Sequence, residues 1–513
     1  MHELVDKVEI PNITSDSAAS TNLAVSNPLR QSKKYWLVIG VGLLLLISFM
    51  PPRPGLSTAG QRVIGVLVFA VVMWISEAIP YVYTAVTNVV CLALLLGFSP
   101  VQGTTGALLG TPKALQLAVG GFVSNGTILV TAALFLTAAI EITGLNNRIA
   151  FGILKVLGPK TDRVFLGIVL IMLVLAFLIP SIVARAAAVT PLAMGLITAL
   201  GVDRKSIFAR NLLICVGLAA SISGIGVLSA GIPNLIAVSF IEQYSHHSIT
   251  WTEWLTYSLP FSIALMMALY LLLIHCNTFE FTEIPGGRKV IDAAYAQLGP
   301  LSAREKRISV ICGLTILLWS TEAYHKIDVN TVAIFAVMLV LTPHIGVVNW
   351  KELSSSANVG SVIVIAAAAV SLGQVLLETG AATWLAKTTL GGLGIQHMSF
   401  SAMMATLVIA LVFIRLAFAS ITSATATLIP TVLALLLSFG NPALPVWGMA
   451  LIATFTLYFS FILPVSDPHL MIPYSTDTFD VRDLMKIGIP LTLIALVLVV
   501  IFWFTYWRWL GVV

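Results

Sequence analysis

Two triplets in this chain have residue types and spacing that could bind a small ion. They are Ser181-Ile182-Val183, which follows Pro180, and Ser420-Ile421-Thr422, which follows Ala419. Each sits between two long apolar arms, and each begins ten residues before a proline, Pro191 or Pro430. A helix broken inside a membrane exposes backbone N–H groups at one tip and carbonyls at the other. The N–H tips favour anions and the carbonyl tips favour small cations. Ser181, Ser420 and Thr422, with Ser423 and Thr425 close by, add hydroxyls and let a ligand approach the backbone. Small hydroxylated residues also serve helix packing, but their place between paired apolar arms favours the ligand reading.

Two arginines lie beside the triplets. Arg185 is four residues past Ser181, and Arg415 is five before Ser420. A cation at membrane depth costs about 2.5–3.5 kcal/mol by insertion scales, so it is retained for a partner or a function. A guanidinium can grip a carboxylate through two parallel hydrogen bonds. Arg185 is therefore read as an anion-related charge. The alternative is an internal ion pair with Asp467, and Arg415 could instead snorkel. His469, beside Asp467, is read as a hydrogen-bonded structural histidine in preference to a proton relay.

The elements that must hold these residues are apolar throughout. Hydrophobic residues make up 58% of the 513 and charged residues only 10%, against about 25% charged in a soluble domain. Lipid must therefore be the solvent for most of the surface. The net charge of +5 is spread over short loops, which excludes a nucleic-acid partner. The four cysteines (91, 215, 276 and 312) have neither metal-site nor disulfide spacing. No nucleotide-binding loop and no soluble catalytic stretch is present, so the chain is not expected to be an enzyme.

Residues 1–34 read as a disordered cytoplasmic tail, 35–276 as a first transmembrane half and 277–307 as a cytoplasmic amphipathic loop. Residues 308–513 form the second half. Re-entrant hairpins are expected at about 164–200 and 398–438. With eleven crossings besides, 19 of the 27 Lys and Arg fall on the cytoplasmic side and six outside, as the positive-inside rule requires. The N-terminus is then cytoplasmic and the C-terminus external, in the plasma (inner) membrane. The halves also share an order of marks. Thr143-Gly144, Ser181, Pro191, Pro233-Asn234 and Pro260 are matched by Thr379-Gly380, Ser420, Pro430, Pro468-His469 and Pro490, at offsets of 236, 239, 239, 235 and 230. An odd number of crossings between equivalents makes the repeats inverted, the plan of a secondary transporter with a midplane site. Glu77 is read as a helix-end charge, His246-His247 as solvated, and Trp503, Tyr506, Trp507 and Trp509 as an interfacial belt.

From about residue 35 to the C-terminus the chain resembles the divalent anion:sodium symporters (DASS), which carry dicarboxylates, citrate or sulfate. The matching stretches are Trp74 to Pro80, the two triplets, and Gly224-Ile225-Gly226 running to Pro233-Asn234. Leu463 to Pro468 and Asp483 to Gly488 also match. The resemblance implies a homodimer with a scaffold and a mobile transport domain that works as an elevator. It also implies substrate contacts at both triplets, at Pro233-Asn234 and at Pro468-His469, and a cation site around Ser181, Gly224, Gly226 and Thr422. The chain departs from the family where the tips usually read Ser-Asn-Thr. Ile182 and Ile421 replace both asparagines, Val183 replaces the first threonine, and His469 stands where many members have asparagine. Some exchanger-type members carry a basic residue at the Arg185 position, where a fixed charge stands in for sodium.

The expected function is secondary transport of a small organic polyanion such as malate, succinate, 2-oxoglutarate, citrate or tartrate. It would proceed by exchange or by cation-coupled symport. No cofactor is required, and sodium is the candidate coupling ion. The alternatives are symport of sulfate or another inorganic anion and, from other classes, an anion channel or a membrane-embedded transferase.

Overall fold

Where Pro180 falls, the chain cannot continue as a helix. Proline lacks the N–H and drives the preceding residue out of the helical region. Thr161–Leu178 accordingly ends at an extended Ile179, with φ −112° and ψ 100°. Ser181 restarts the helix by accepting the Ala184 N–H at 3.2 Å, and Ile182–Ala199 runs back. The second pair of arms, Phe400–Arg415 and Ile421–Ser438, parts around an extended Ser420 without a proline. These features come from a computed structural model that describes residues 28–513 except 52, 77, 102–106, 200, 284–285, 356–358, 391–397, 417 and 419. Most of the expected tail, together with Glu77 and Ala419, lies outside the described residues.

Among the described residues the regular structure is helical, with only two isolated bridges between extended residues. Nine of the helices are long and apolar enough to cross a membrane, and both arms of the first pair are among them. The protein is an all-α polytopic membrane protein.

Marks shared by the two halves occupy matching local settings. Gly144 and Gly380 both take left-handed φ, +76° and +70°, which glycine adopts without a Cβ penalty. Each follows a long helix, Asn125–Thr143 or Val359–Glu378. Helices Ile207–Gly226 and Val446–Thr456 lead into short 3-10 turns, Leu228–Ala230 and Pro464–Ser466. One extended residue follows each turn, Gly231 with φ −154° or Asp467 with φ −160°. A proline-opened helix comes next, Ile232–Ser245 or Pro468–Tyr474. Each returning arm packs on the proline-opened helix of the other half: Ile182–Ala199 on Pro468–Tyr474, and Ile421–Ser438 on Ile232–Ser245. The two halves thus complete one another's cores.

Basic loops meet at one end of the bundle. Thr161 donates through its N–H and its Oγ1 to the Thr282 and Phe281 carbonyls, at 3.1 and 2.8 Å. Glu280 accepts the Ile207 and Phe208 N–H groups that open helix Ile207–Gly226. Lys205 Nζ donates to the Asp477 carbonyl, and Asp483 pairs with Arg210 and Lys486. Arg148, on the amphipathic helix Leu145–Leu157, pairs with Glu305 at 2.6 Å. That hydrogen bond holds the Glu305 carboxyl below the usual carboxylate range.

Two surface expectations are corrected. Trp507 is fully buried against Phe261 and donates to the Tyr257 carbonyl, and Trp503 donates to Ser401. Of the four terminal aromatics, Trp509 alone is freely exposed, at 79%. His247 is not simply solvated, because it stacks on Trp447 with ring centroids 4.1 Å apart.

Candidate functional site

Ile182 and Ile421, which open the returning arms, turn inward with 7% and 2% exposure. Ser181, Ser420 and Thr422 are half-buried, and Val183 is exposed. The outer residues of each triplet therefore face the tip surface while the central one faces the protein. Both isoleucines, expected as substrate contacts, thus lie on the protein side of their tips. Ile182 fills space beside Gly224 and Gly231, where a Cβ built on either glycine would meet it at 3.2–3.5 Å. An apolar side chain thus occupies the inner wall of the first break.

The carbonyls of Gly224 and Gly226, two of the residues expected around a cation, each accept one protein donor. Gly224 accepts from Asn234 Nδ2 at 2.7 Å, and Gly226 accepts from Ser258 Oγ at 3.1 Å. Asn234 also donates to the Val227 carbonyl, and its Oδ1 accepts from the Tyr458 hydroxyl at 2.6 Å. Tyr458 comes from the second half and fits because Gly224 and Gly231 carry no side chain. Pro233 lies buried beside Asn234 in the first turn of its helix.

Arg185 is fully buried. Its Nη1 donates to the Ile179 carbonyl at 2.6 Å and the Ala230 carbonyl at 2.7 Å, and its Nη2 donates to Ala220 at 3.2 Å. Arg415 has the same kind of surroundings in the other half. It donates to the carbonyls of Phe418 (2.6 Å), Leu457 (3.0 Å) and Ser466 (2.9 Å). These carbonyls stand 239, 237 and 236 residues after Ile179, Ala220 and Ala230, so each guanidinium closes an equivalent break. The arginines themselves come from opposite arms: Arg185 from the returning arm of one pair, Arg415 from the entering arm of the other.

The halves differ in charge. Arg415 Nη2 is 2.9 Å from Asp467 Oδ2, with both groups buried. Asp467 therefore serves Arg415 and not Arg185, and Arg415 does not snorkel. The equivalent position in the first half is Gly231, and among the described residues Arg185 has no carboxylate partner. Asp467 Oδ2 also accepts the Ile421 N–H at 2.7 Å, and Oδ1 lies 2.8 Å from His469 Nδ1. Thus the first tip is set by Pro180 and Ser181, whereas the second is capped by a carboxylate 46 residues along the chain. Ser423 returns a bond to the Ser420 carbonyl, and Thr425 Oγ1 is buried without a partner. Pro468 opens the helix that carries His469.

Tyr458 and the six gripped carbonyls were missed by sequence reasoning. The carbonyls could have been found by carrying the repeat offset past the triplets, whereas Tyr458 has no counterpart that would have marked it.

The geometry is that of two broken helices with charged, carbonyl-lined roots, the plan of a secondary transporter. The chain belongs to the sodium:sulfate symporter transmembrane family, whose model matches residues 31–513. This bears out the resemblance to divalent anion:sodium symporters and places the protein among membrane transporters. A membrane protein of Cupriavidus necator is 38% identical over 484 residues, 93% of each chain. The L-tartrate/succinate antiporters of Shigella flexneri and Escherichia coli are 28% and 27% identical over 487 residues. Each alignment covers 92% of this chain and 98% of the antiporter. The fold is shared with the YdaH transporter of Alcanivorax borkumensis, with a TM-score of 0.52 at 14% identity over 84% of this chain and 98% of that one.

A bulky residue at the second tip is expected to block binding without disturbing the core, because Ser420 is half-buried and its side chain caps nothing. Ser420→Leu should lower anion uptake by at least about 100-fold, as loss of tip hydrogen bonding and access would require. Its melting temperature should stay near that of the wild type. Normal uptake by the folded variant would remove Ser420 from the site.

Proposed function

We propose that the protein is an obligatory exchanger of small dicarboxylates and that its coupling uses no sodium ion. The observation that carries this reading is Arg185, a buried guanidinium held by three carbonyls with no carboxylate partner among the described residues. With neutral side chains around it, the empty site has a net positive charge. A bound dianion offsets that charge together with the partial positive charges, about half a unit each, of the helix N-termini at Ile182 and Ile421, so the loaded carrier crosses the low-dielectric passage more readily than the empty one. Such asymmetry makes exchange obligatory. Two further features support it: Ile182 occupies the inner wall of the first break, and Gly224 and Gly226 accept from protein donors. The antiporters similar along nearly the whole chain support the dicarboxylate class.

The same reading takes the two halves as inverted repeats with eleven crossings and two re-entrant hairpins. The basic-loop end is cytoplasmic, the C-terminus is external, and a homodimer works as an elevator. The test is uptake of labelled succinate into proteoliposomes. Uptake should require internal dicarboxylate and ignore an imposed sodium gradient. Sodium-driven accumulation into vesicles without internal anion would overturn the exchanger.

A further inference from the structure

His469 carries a feature that charge balance does not use. Its ring is fully buried in the first turn of Pro468–Tyr474, and Nδ1 lies 2.8 Å from Asp467 Oδ1. The other carboxylate oxygen accepts from the Arg415 guanidinium and the Ile421 N–H. A carboxylate held by such donors offers only acceptor sites, so the ring proton sits on Nδ1 and points at Asp467. In the neutral ring Nε2 is then a bare acceptor. It is buried and has no hydrogen-bond partner. An acceptor in that position calls for a donor, because leaving it unmade costs the desolvation of the group.

The placement says where that donor comes from. One carboxylate bridges His469 to the N–H that opens the second tip, and the helix carrying His469 packs on the returning arm of the first pair. Nε2 therefore belongs to the region where the two broken helices converge. Ionised carboxylates present only lone pairs and would be repelled by a neutral Nε2. A hydroxyl on the carbon skeleton is the group of an organic anion that can donate to it. We infer that His469 is a specificity-determining residue that accepts a hydrogen bond from a substrate hydroxyl, so that the carrier favours hydroxylated dicarboxylates over the plain diacid. The inference rests on the dicarboxylate reading above and names the subclass.

The test uses the full-length protein in detergent. Binding of L-malate, succinate and fluorosuccinate is measured, the last replacing the hydroxyl by a group of similar size that cannot donate. The wild type should prefer malate over both analogues by about 10- to 100-fold, the usual effect of leaving a buried polar group unpaired. His469→Asn keeps a donor near the Nδ1 position for Asp467 but removes the Nε2 acceptor. It should weaken malate to within about threefold of succinate. His469→Gln, whose amide oxygen can reach the Nε2 position, should restore part of the preference. Equal wild-type binding of malate and fluorosuccinate would overturn the inference, and this comparison does not depend on how a variant folds. A malate preference that persists in His469→Asn would overturn it too. In both cases the dicarboxylate reading stands, whereas a wild type that binds none of the three compounds overturns both.

Discussion

On the exchanger reading, Arg185→Gln is expected to release the carrier from a need for anion on the far side of the membrane. In the wild type the guanidinium has no carboxylate partner among the described residues, so on that reading the empty site moves a net charge through a medium of low dielectric. A charge at that depth costs about 2.5–3.5 kcal/mol by insertion scales, which corresponds to a rate difference of about 100-fold. Uptake into anion-free vesicles should accordingly run at about one hundredth of the exchange rate in the wild type. In Arg185→Gln the two rates should approach each other, while anion affinity falls by about 10- to 100-fold because the attracting charge is gone. Arg185→Lys provides the control, since it keeps the charge but reaches fewer of the three carbonyls. It should remain an exchanger even if it is less stable. A folded Arg185→Gln that still requires internal anion would show that the asymmetry has another origin.

Asp467→Asn is expected to cause the largest loss of stability. The carboxylate is buried with Arg415, His469 and the Ile421 N–H around it. Neutralising it leaves Arg415 as a second uncompensated charge in the core. Breaking one side of a buried pair costs about 3–5 kcal/mol, much more than the net worth of the intact pair. The loss should appear in SDS-induced unfolding from mixed micelles. In an Arg415→Met background the added cost of Asp467→Asn should shrink by about 1–3 kcal/mol, the coupling expected of residues in direct contact. A change below about 0.5 kcal/mol for Asp467→Asn alone is what surface substitutions give. It would mean that the pair does not hold the second break together.

Some features of the site were legible locally. Pro180 and Ser181 terminate and restart a helix through their own chemistry, so the first break could be placed to within a few residues. The glycines at 144 and 380 likewise mark helix ends, because both take positive φ. Other features depend on partners far along the chain. Nothing near Arg185 indicates that it grips Ala220 and Ala230, and nothing near Asp467 indicates that it caps Ile421. The sequence reading offered Asp467 to Arg185, because opposite buried charges attract in any arrangement. Geometry gave it to Arg415 instead.

The amino-acid sequence by itself determined that the chain lives in a membrane, that its helices break at two places and that its halves repeat one order of marks. Apolar composition, proline's missing N–H and the spacing of small residues act within a few turns of chain, so they can be read in one dimension. Only the tertiary structure decided which arginine is neutralised, that the isoleucines of both triplets face inward, and that Tyr458 of one half completes the asparagine cluster of the other. Those outcomes depend on the distance and direction between groups tens to hundreds of residues apart. Burial makes each such contact a matter of several kcal/mol, but no local property of the chain specifies which groups will meet.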